Sequence, residues 1–330
     1  MKKTLVIGGF GNIGSSVTER LMTEGFDVTV MSSGKGKPAP YFEGEILYAD
    51  RHNRNSFLQA VKNKKYEYVV DLVCHSAADA ELAYEAFPEL EHLVVTSSGA
   101  VYGKLHAGEI PVRETMKREP VWSYGVNKKA MEDFFFEKIM KENYPVTIFR
   151  PTVTYGRQRE IVRQIASDNS WIDRIRKGKA IVTGNPFILR NFLHVDDAAT
   201  AFWGAFQHEC CKGQVYNLCG TKPYDWETYH RTVMQVLGRE VDMIEIPYDF
   251  LCKSAFFHVT EMIQYNFIYN GYYSSDKITK DIPEFCVKKD LKSGLESAVQ
   301  WIEEYGVIPD SDELMWEDLL IEEYRKSGRL

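Results

Sequence analysis

A short apolar run, Thr4-Leu-Val-Ile7, passes directly into Gly8-Gly-Phe-Gly11-Asn-Ile-Gly14, and a helix-spaced stretch from Ile13 to Met22 opens inside that glycine pattern. Few segments restrict a fold so tightly. Gly8 permits a tight turn, Gly11 lets backbone N–H groups approach a pyrophosphate at the positive end of the helix, and Gly14 lets helix and strand pack closely. A glycine turn serving packing alone is the competing reading. The strand before it, the helix after it and its place in a βαβ unit favour a dinucleotide site with Gly8, Gly11, Asn12, Ile13 and Gly14 as candidate contacts.

Strand and helix then alternate. Asp27 to Met31, Glu45 to Tyr48, Tyr68 to Val73, Leu93 to Thr96 and Val146 to Phe149 read as strands, with helices over Arg54 to Val61 and Ser123 to Met140. Short apolar strands separated by helices imply an α/β chain, a Rossmann-type doubly wound parallel sheet with a smaller C-terminal substrate lobe. Residues 1–156 are expected to form the NAD(P)-binding domain. Asp196 is expected to cap a helix through His208, and Val215 to Cys219 reads as a buried strand, so residues 192–220 are expected to return to the first sheet. Residues 157–191 and 221–330 then form the substrate-binding lobe.

Composition narrows the partners. With 40 basic and 47 acidic residues the formal charge is −7, which disfavours nucleic acid, since phosphate binding wants a dense basic face. A hydrophobic content of 44% supports a folded core. No apolar segment approaches the roughly 18 residues of a membrane span, so no membrane partner and a cytoplasmic location are expected. The six cysteines lack Cys-x-x-Cys spacing and a matching histidine pattern, so they read as reduced packing residues and no metal site is expected.

The spacing Gly8, Gly11, Gly14 resembles the extended short-chain dehydrogenase/reductase superfamily, in particular the NAD-dependent epimerase/dehydratase family of sugar-nucleotide enzymes. Further matches are Thr96-Ser-Ser98-Gly-Ala-Val-Tyr-Gly103, Tyr124-Gly-Val-Asn-Lys128 and Arg190-Asn-Phe-Leu-His-Val-Asp-Asp197, with Ser275-Asp-Lys277 and Gly294 to Trp301 near the end. The likeness covers nearly the whole chain.

Tyr124 and Lys128 stand at i and i+4, so on a helix they share a face. A phenol with a pKa of about 10 is a poor base at neutral pH. A neighbouring ammonium and an oxidised nicotinamide both favour the phenolate, which gives a general base or acid for an alcohol or sugar hydroxyl. Ser98 can hydrogen-bond the same oxygen. Ser98, Tyr124 and Lys128 are therefore the candidate catalytic residues, with Tyr124 and Lys128 also beside the cofactor and Ser98 and Gly99 beside the substrate. The resemblance implies that Arg190 binds a substrate diphosphate, a surface ion pair being the alternative, that His194 braces the structure, and that Asp50 contacts the adenine.

Departures from the family pattern carry information. After the second strand an NAD enzyme would place an acid on the ribose hydroxyls, whereas this chain has Ser32, Ser33 and Lys35, which favours NADP over NAD. Dehydratases carry an acid after the catalytic Ser or Thr, but Gly99 and Ala100 stand here, which argues against dehydration. Val153 replaces an asparagine that touches substrate phosphate. Between Ala77 and His92 there is room only for a short helix, Ala80 to Phe87, in place of the family's long dimer-forming helix, so a monomer or weak homodimer is expected. That shortened connector resembles the branch of chloroplast stem-loop-binding proteins and supplies a rival, a non-catalytic cofactor-sensing or RNA-binding protein. A chain of that kind would lose Tyr or Lys and gain a basic surface. This one keeps both and is acidic, so the favoured reading is an NAD(P)-dependent epimerase or oxidoreductase acting on a sugar nucleotide or related polyhydroxylated substrate.

Overall fold

The structure, a computed structural model, describes residues 2–34, 42–105, 108–157 and 160–329. Lys35, one of the candidate cofactor contacts, lies outside the described residues.

The chain begins β1 (Lys3–Ile7), α1 (Asn12–Thr23), β2 (Asp27–Ser32), β3 (Ile46–Tyr48), α2 (Arg54–Val61), β4 (Tyr68–Asp71), α3 (Ala77–Ala86) and β5 (His92–Thr96). It continues through α4 (Ser123–Glu142), β6 (Val146–Pro151), β7 (Val153–Tyr155), α5 (Ser170–Lys177), β8 (Ile181–Thr183), β9 (Leu189–His194), α6 (Val195–Ala205) and β10 (Val215–Leu218). The last elements are β11 (Pro223–Asp225), α7 (Trp226–Val236), β12 (Met243–Glu245), α8 (Tyr248–Leu251), α9 (Asp276–Asp281), α10 (Leu291–Tyr305) and α11 (Trp316–Lys326).

Seven strands form one sheet in the order β10-β6-β5-β4-β1-β2-β3, and every pair in it is parallel. All five residues of β5 are buried, as expected of a strand covered on both faces. Val17 and Leu21 of α1 and Phe202 of α6 share one core with Val6, Val30 and Phe149. Ala80 and Ala83 of α3 and Met131 and Phe135 of α4 share the other core with Leu5, Val69 and Val95. The strand order reverses between β1 and β4, and in doubly wound sheets the crevice at that reversal is where ligands bind.

The remaining strands make a three-stranded sheet, β11-β9-β7, and a pair, β12-β8. Their core is aromatic: Trp171, Phe192, Trp226 and Tyr229 pack with Leu295 and Ile302 of α10. Glu317 of α11 is buried with Arg163, and its carboxylate accepts from Nη1 and Nη2 of that guanidinium at 3.1 and 2.7 Å.

Three expected elements change at their ends. β4 stops at Asp71 rather than Val73, because the Val73 N–H turns to the Asp71 carboxylate at 3.1 Å instead of extending the ladder. α3 starts at Ala77, three residues before Ala80, because Ser76 and Asp79 form a reciprocal cap. The cap of α6 is His194 and not Asp196: His194 Nδ1 accepts the Asp196 N–H at 3.2 Å, while the Asp196 carboxylate accepts from Ser16 Oγ at 2.7 Å. That helix ends at Ala205 instead of His208, where Phe206 turns into a cluster with Tyr68 and His92, at ring distances of 4.7 and 5.4 Å.

Candidate active site

The turn after β1 is built as its glycines require. Gly8 has φ +81°, a conformation that L side chains rarely adopt. A Cβ on Gly14 would lie 2.2 Å from the Gly8 carbonyl oxygen, so only glycine lets α1 lie this close to the strand. Gly11 caps α1 without a side-chain hydrogen bond, which leaves the first-turn N–H groups of Asn12 and Ile13 for an anion. The Asn12 side chain reaches Thr154 Oγ1 on β7 at 3.4 Å, whereas Ile13 turns its side chain to the core.

In front of this turn opens a cleft of about 340 Å³. Gly8, Gly11, Ser32, Ser33 and Asp50 line it, so five of the expected cofactor residues come together from three segments of chain. Ser32 Oγ accepts the Gly34 N–H at 3.2 Å and Asp50 accepts the His52 N–H at 3.0 Å. No carboxylate stands at the end of β2.

The candidate proton-transfer residues stand after β5 and at the start of α4. Ser98 follows β5 and caps a single 3₁₀ turn, Gly99–Tyr102, by accepting the Ala100 N–H at 3.2 Å. Tyr124 lies at the start of α4 with 38% of its surface exposed. Burial of the phenol raises its pKa above the ordinary value, and a hydrogen bond with Ser98 works in the opposite direction. Lys128, one turn on, is 1% exposed. Its ammonium donates to Thr96 O at 2.6 Å and Cys74 O at 2.9 Å and lies 5.7 Å from the Tyr124 ring centre. Burial brings the Lys128 pKa down to about 8.

Arg190 is not on the surface, so the ion-pair alternative falls. It is 3% exposed, among the described residues it forms no ion pair, and its Nε has no hydrogen-bond partner. Nη2 donates to Asn266 Oδ1, and the guanidinium lies 5.3 Å from the Phe267 ring centre. Burial lowers its pKa to about 10. Arg190 shares a pocket of about 30 Å³ with Ser98, Gly99, Val153, Asn266 and Tyr273. A Cβ on Gly99 would lie 2.9 Å from the Tyr273 hydroxyl, so no acid fits there. His194 holds the α6 cap with one nitrogen and meets Ser297 Oγ at 2.9 Å with the other.

Several lining residues escaped the sequence reading. Arg51 and His52 directly follow Asp50, yet nothing local marks them. Arg51 is held by Asp71 at 2.8 Å, and His52 Nδ1 lies 3.2 Å from Asp79. His75 lines the same cleft. Asn266 lies in a π-helical turn, Ile263–Phe267, a backbone form frequent at functional sites that periodicity does not reveal.

The chain is 28% identical over 247 residues to 2'-dehydrokanamycin reductase of Streptomyces kanamyceticus, covering 74% of this chain and 69% of that one. It is 26% identical over 235 residues to the chloroplast stem-loop binding protein of 41 kDa b of Arabidopsis thaliana, covering 67% and 59%. The UDP-glucose 4-epimerase of Thermotoga maritima has the same fold, with a TM-score of 0.74 over 92% of this chain and 99% of that one at 18% identity. The sequence profile of the NAD dependent epimerase/dehydratase family matches residues 4–219, and no helix of the described residues is long and apolar enough to cross a membrane. The glycine turn opens onto the cleft, Tyr124 lies 6.4 Å ring to ring from His75 on its wall, and this chain belongs to the NAD dependent epimerase/dehydratase family.

Proposed function

We propose that the chain is an NADP(H)-dependent oxidoreductase that reduces a ketone, or oxidises the matching alcohol, on a phosphate-bearing sugar, with sugar nucleotides as the substrate class. The observation that carries this is the joint placement of Ser98 beside Tyr124 and Arg190, a buried cation whose Nε lacks a partner.

When bound, a nicotinamide dinucleotide supplies or accepts the hydride. The residues present suit it: the uncapped start of α1 takes the diphosphate, and Ser32, Ser33 and Asp50 line the adenosine end of the cleft. Lacking a carboxylate, the end of β2 has nothing to repel a 2′-phosphate, and Lys35 follows two residues after Ser33 in sequence. Ser98 holds the substrate oxygen, Tyr124 gives that oxygen its proton on reduction and removes it on oxidation, and the Lys128 ammonium favours the phenolate left behind. Arg190 receives a substrate phosphate oxygen in place of Asn266, since a pocket of about 30 Å³ has no spare room for one. Gly99, blocked by Tyr273, leaves no acid for dehydration. The relation to a reductase supports the redox direction. The charge of −7 and the retention of Ser98, Tyr124 and Lys128 support an enzyme over an RNA-binding protein.

We further infer that the chain is a monomer. The exposed side of α3 carries Glu81 and Glu85, and that of α4 carries ion pairs from Lys129 to Asp133 and Lys141 to Glu137, both at 2.7 Å. Among the described residues α4 exposes Val126 and Met140, fourteen positions apart and flanked by these charges, so the two faces offer a second copy no continuous apolar patch. A tight dimer in sedimentation at low concentration would show this wrong.

The functional test is mass spectrometry of nucleotides released from the purified protein, followed by calorimetric titration with NADPH and NADH. NADPH is expected to bind about tenfold or more tightly, and Ser32→Asp to reverse the order. Tyr124→Phe is expected to keep dinucleotide affinity while turnover drops at least about a hundredfold. Tightly retained NAD that returns unchanged after turnover would replace the reductase by an epimerase.

A further inference from the structure

Tyr124, Lys128 and Glu132 follow one another at i, i+4 spacing along a single face of α4. The first two are the candidate proton-transfer residues, and the third is a buried carboxylate that the reaction does not use. Glu132 accepts from Arg150 Nε at 2.8 Å and Nη2 at 2.7 Å, and from Arg118 Nη1 at 3.0 Å. Arg150, near the end of β6, is itself 1% exposed. Its Nη1 donates to the Tyr102 hydroxyl at 2.7 Å. Tyr102 is the last residue of the 3₁₀ turn that Ser98 caps, and its hydroxyl donates in turn to Asn217 Oδ1 of β10 at 2.7 Å. One guanidinium thus meets both the helix that carries Tyr124 and Lys128 and the turn that carries Ser98.

Desolvation offsets most of what a buried ion pair returns, so apolar side chains of the same volume would stabilise this region about as well. Direction is what they could not supply. A guanidinium is a rigid planar fork, and acceptors bonded on its two sides are held at a fixed separation and angle. Here Glu132 meets one side and Tyr102 the other. No polar side-chain atom of Glu132, Arg150, Tyr102 or Asn217 is buried without a partner, and a buried network satisfied throughout is rigid. The N–H groups of Gly103 and Val101, each 3.3 Å from the carbonyls of Ala100 and Ser98, carry that rigidity back along the turn to Ser98.

We propose that Arg150 is a positioning residue for proton transfer: it sets the Ser98 hydroxyl against the Tyr124 phenol by tying the 3₁₀ turn, through Tyr102, to α4, through Glu132. This rests on the reaction assigned above, in which Ser98 holds the substrate oxygen and Tyr124 moves its proton. Arg150, Glu132 and Tyr102 line neither the cleft nor the Arg190 pocket, so the three act through the residues they hold. A displacement of reacting groups by about 1 Å costs up to about a hundredfold in rate, which is the reason a fixed tie between the two segments matters.

The test uses Tyr102→Phe, which removes the one hydroxyl between Arg150 and the Ser98 turn while the ring and the Arg150–Glu132 pair stay. UDP-glucose, GDP-mannose and dTDP-glucose are offered with oxidised NADP and NAD, reduction of the nicotinamide is followed by absorbance, and the best of these pairs serves as the probe. Tyr102→Phe is expected to lower kcat about tenfold or more and to leave KM within about twofold. Arg150→Lys, which keeps a charge on Glu132 but has no second side for the phenol, gives a similar loss. In a Ser98→Ala background Tyr102→Phe costs less than about twofold further, because no hydroxyl is left to place. An unchanged kcat in Tyr102→Phe would make the network structural. An undiminished loss in the Ser98→Ala background would show that it does not act through Ser98, and either result overturns the proposal. Silence of the unmodified chain toward every probe would instead overturn the sugar-nucleotide reaction, and with it any role in placing Ser98.

Discussion

Gly125 and Ala100 meet backbone to backbone: a Cβ on Gly125 would lie 2.6 Å from the Ala100 carbonyl oxygen and 2.9 Å from Pro120 Cβ. The start of α4 can therefore lie directly on the turn that Ser98 caps. That closeness, between segments some twenty residues apart in sequence, brings the Tyr124 phenol to Ser98. Gly125→Ala is expected to push the helix off the turn, at about 1 to 3 kcal/mol in stability for an overpacked contact, and to lower turnover at least about tenfold. Denaturant unfolding and steady-state kinetics check it. An unchanged turnover would show that the contact does not position Tyr124.

The Lys128 ammonium, with its pKa lowered to about 8, sets a pH limit. Below that value the charge beside Tyr124 is present, and it is lost as the pH rises through it. Carbonyl reduction is expected to show kcat/KM level near neutrality and falling above about pH 8, since that ratio follows groups of the free enzyme. In Lys128→Met the rate drops at least about a hundredfold and the alkaline limb disappears. A limb of unchanged position in this variant would assign it to another group.

Arg190 is buried without a carboxylate partner, so replacing it should not damage the fold. Arg190→Met is expected to keep or raise the thermal midpoint, because removal of an uncompensated buried charge relieves its desolvation cost. The same variant should raise KM for a phosphate-bearing substrate by about tenfold or more, with a smaller change in kcat. Loss of stability with an unchanged KM would make Arg190 structural.

Three buried histidines make the fold sensitive to acid. Burial lowers the pKa of His92 and His230 to about 3 and that of His194 to about 4. Between these values and about 6.5 the unfolded chain binds protons that the folded chain refuses, so stability falls as the pH drops. Each group contributes a slope of up to about 1.4 kcal/mol per pH unit. His92→Gln, which can keep the contact to Thr147, should reduce the slope of unfolding free energy between about pH 6.5 and 4.5 by about a third. Identical slopes in both chains would remove His92 from this account.

By itself the sequence determined the strand–glycine–helix opening, the alternation of short apolar strands with helices, and the single helix face shared by Tyr124 and Lys128. Each depends on neighbours a few residues apart, through side-chain period, backbone freedom at glycine and the i, i+4 spacing of one helix. The tertiary structure alone decided that Arg190 is buried with Asn266, 76 residues away, that Arg51 is tied to Asp71 beside the cleft, and that His75 Nδ1 is buried without a partner. It also decided that His194 rather than Asp196 caps α6, because Ser16 lies close enough to take the Asp196 carboxylate. The partner and solvation of a polar side chain depend on which distant segments pack around it, and local periodicity carries no record of that.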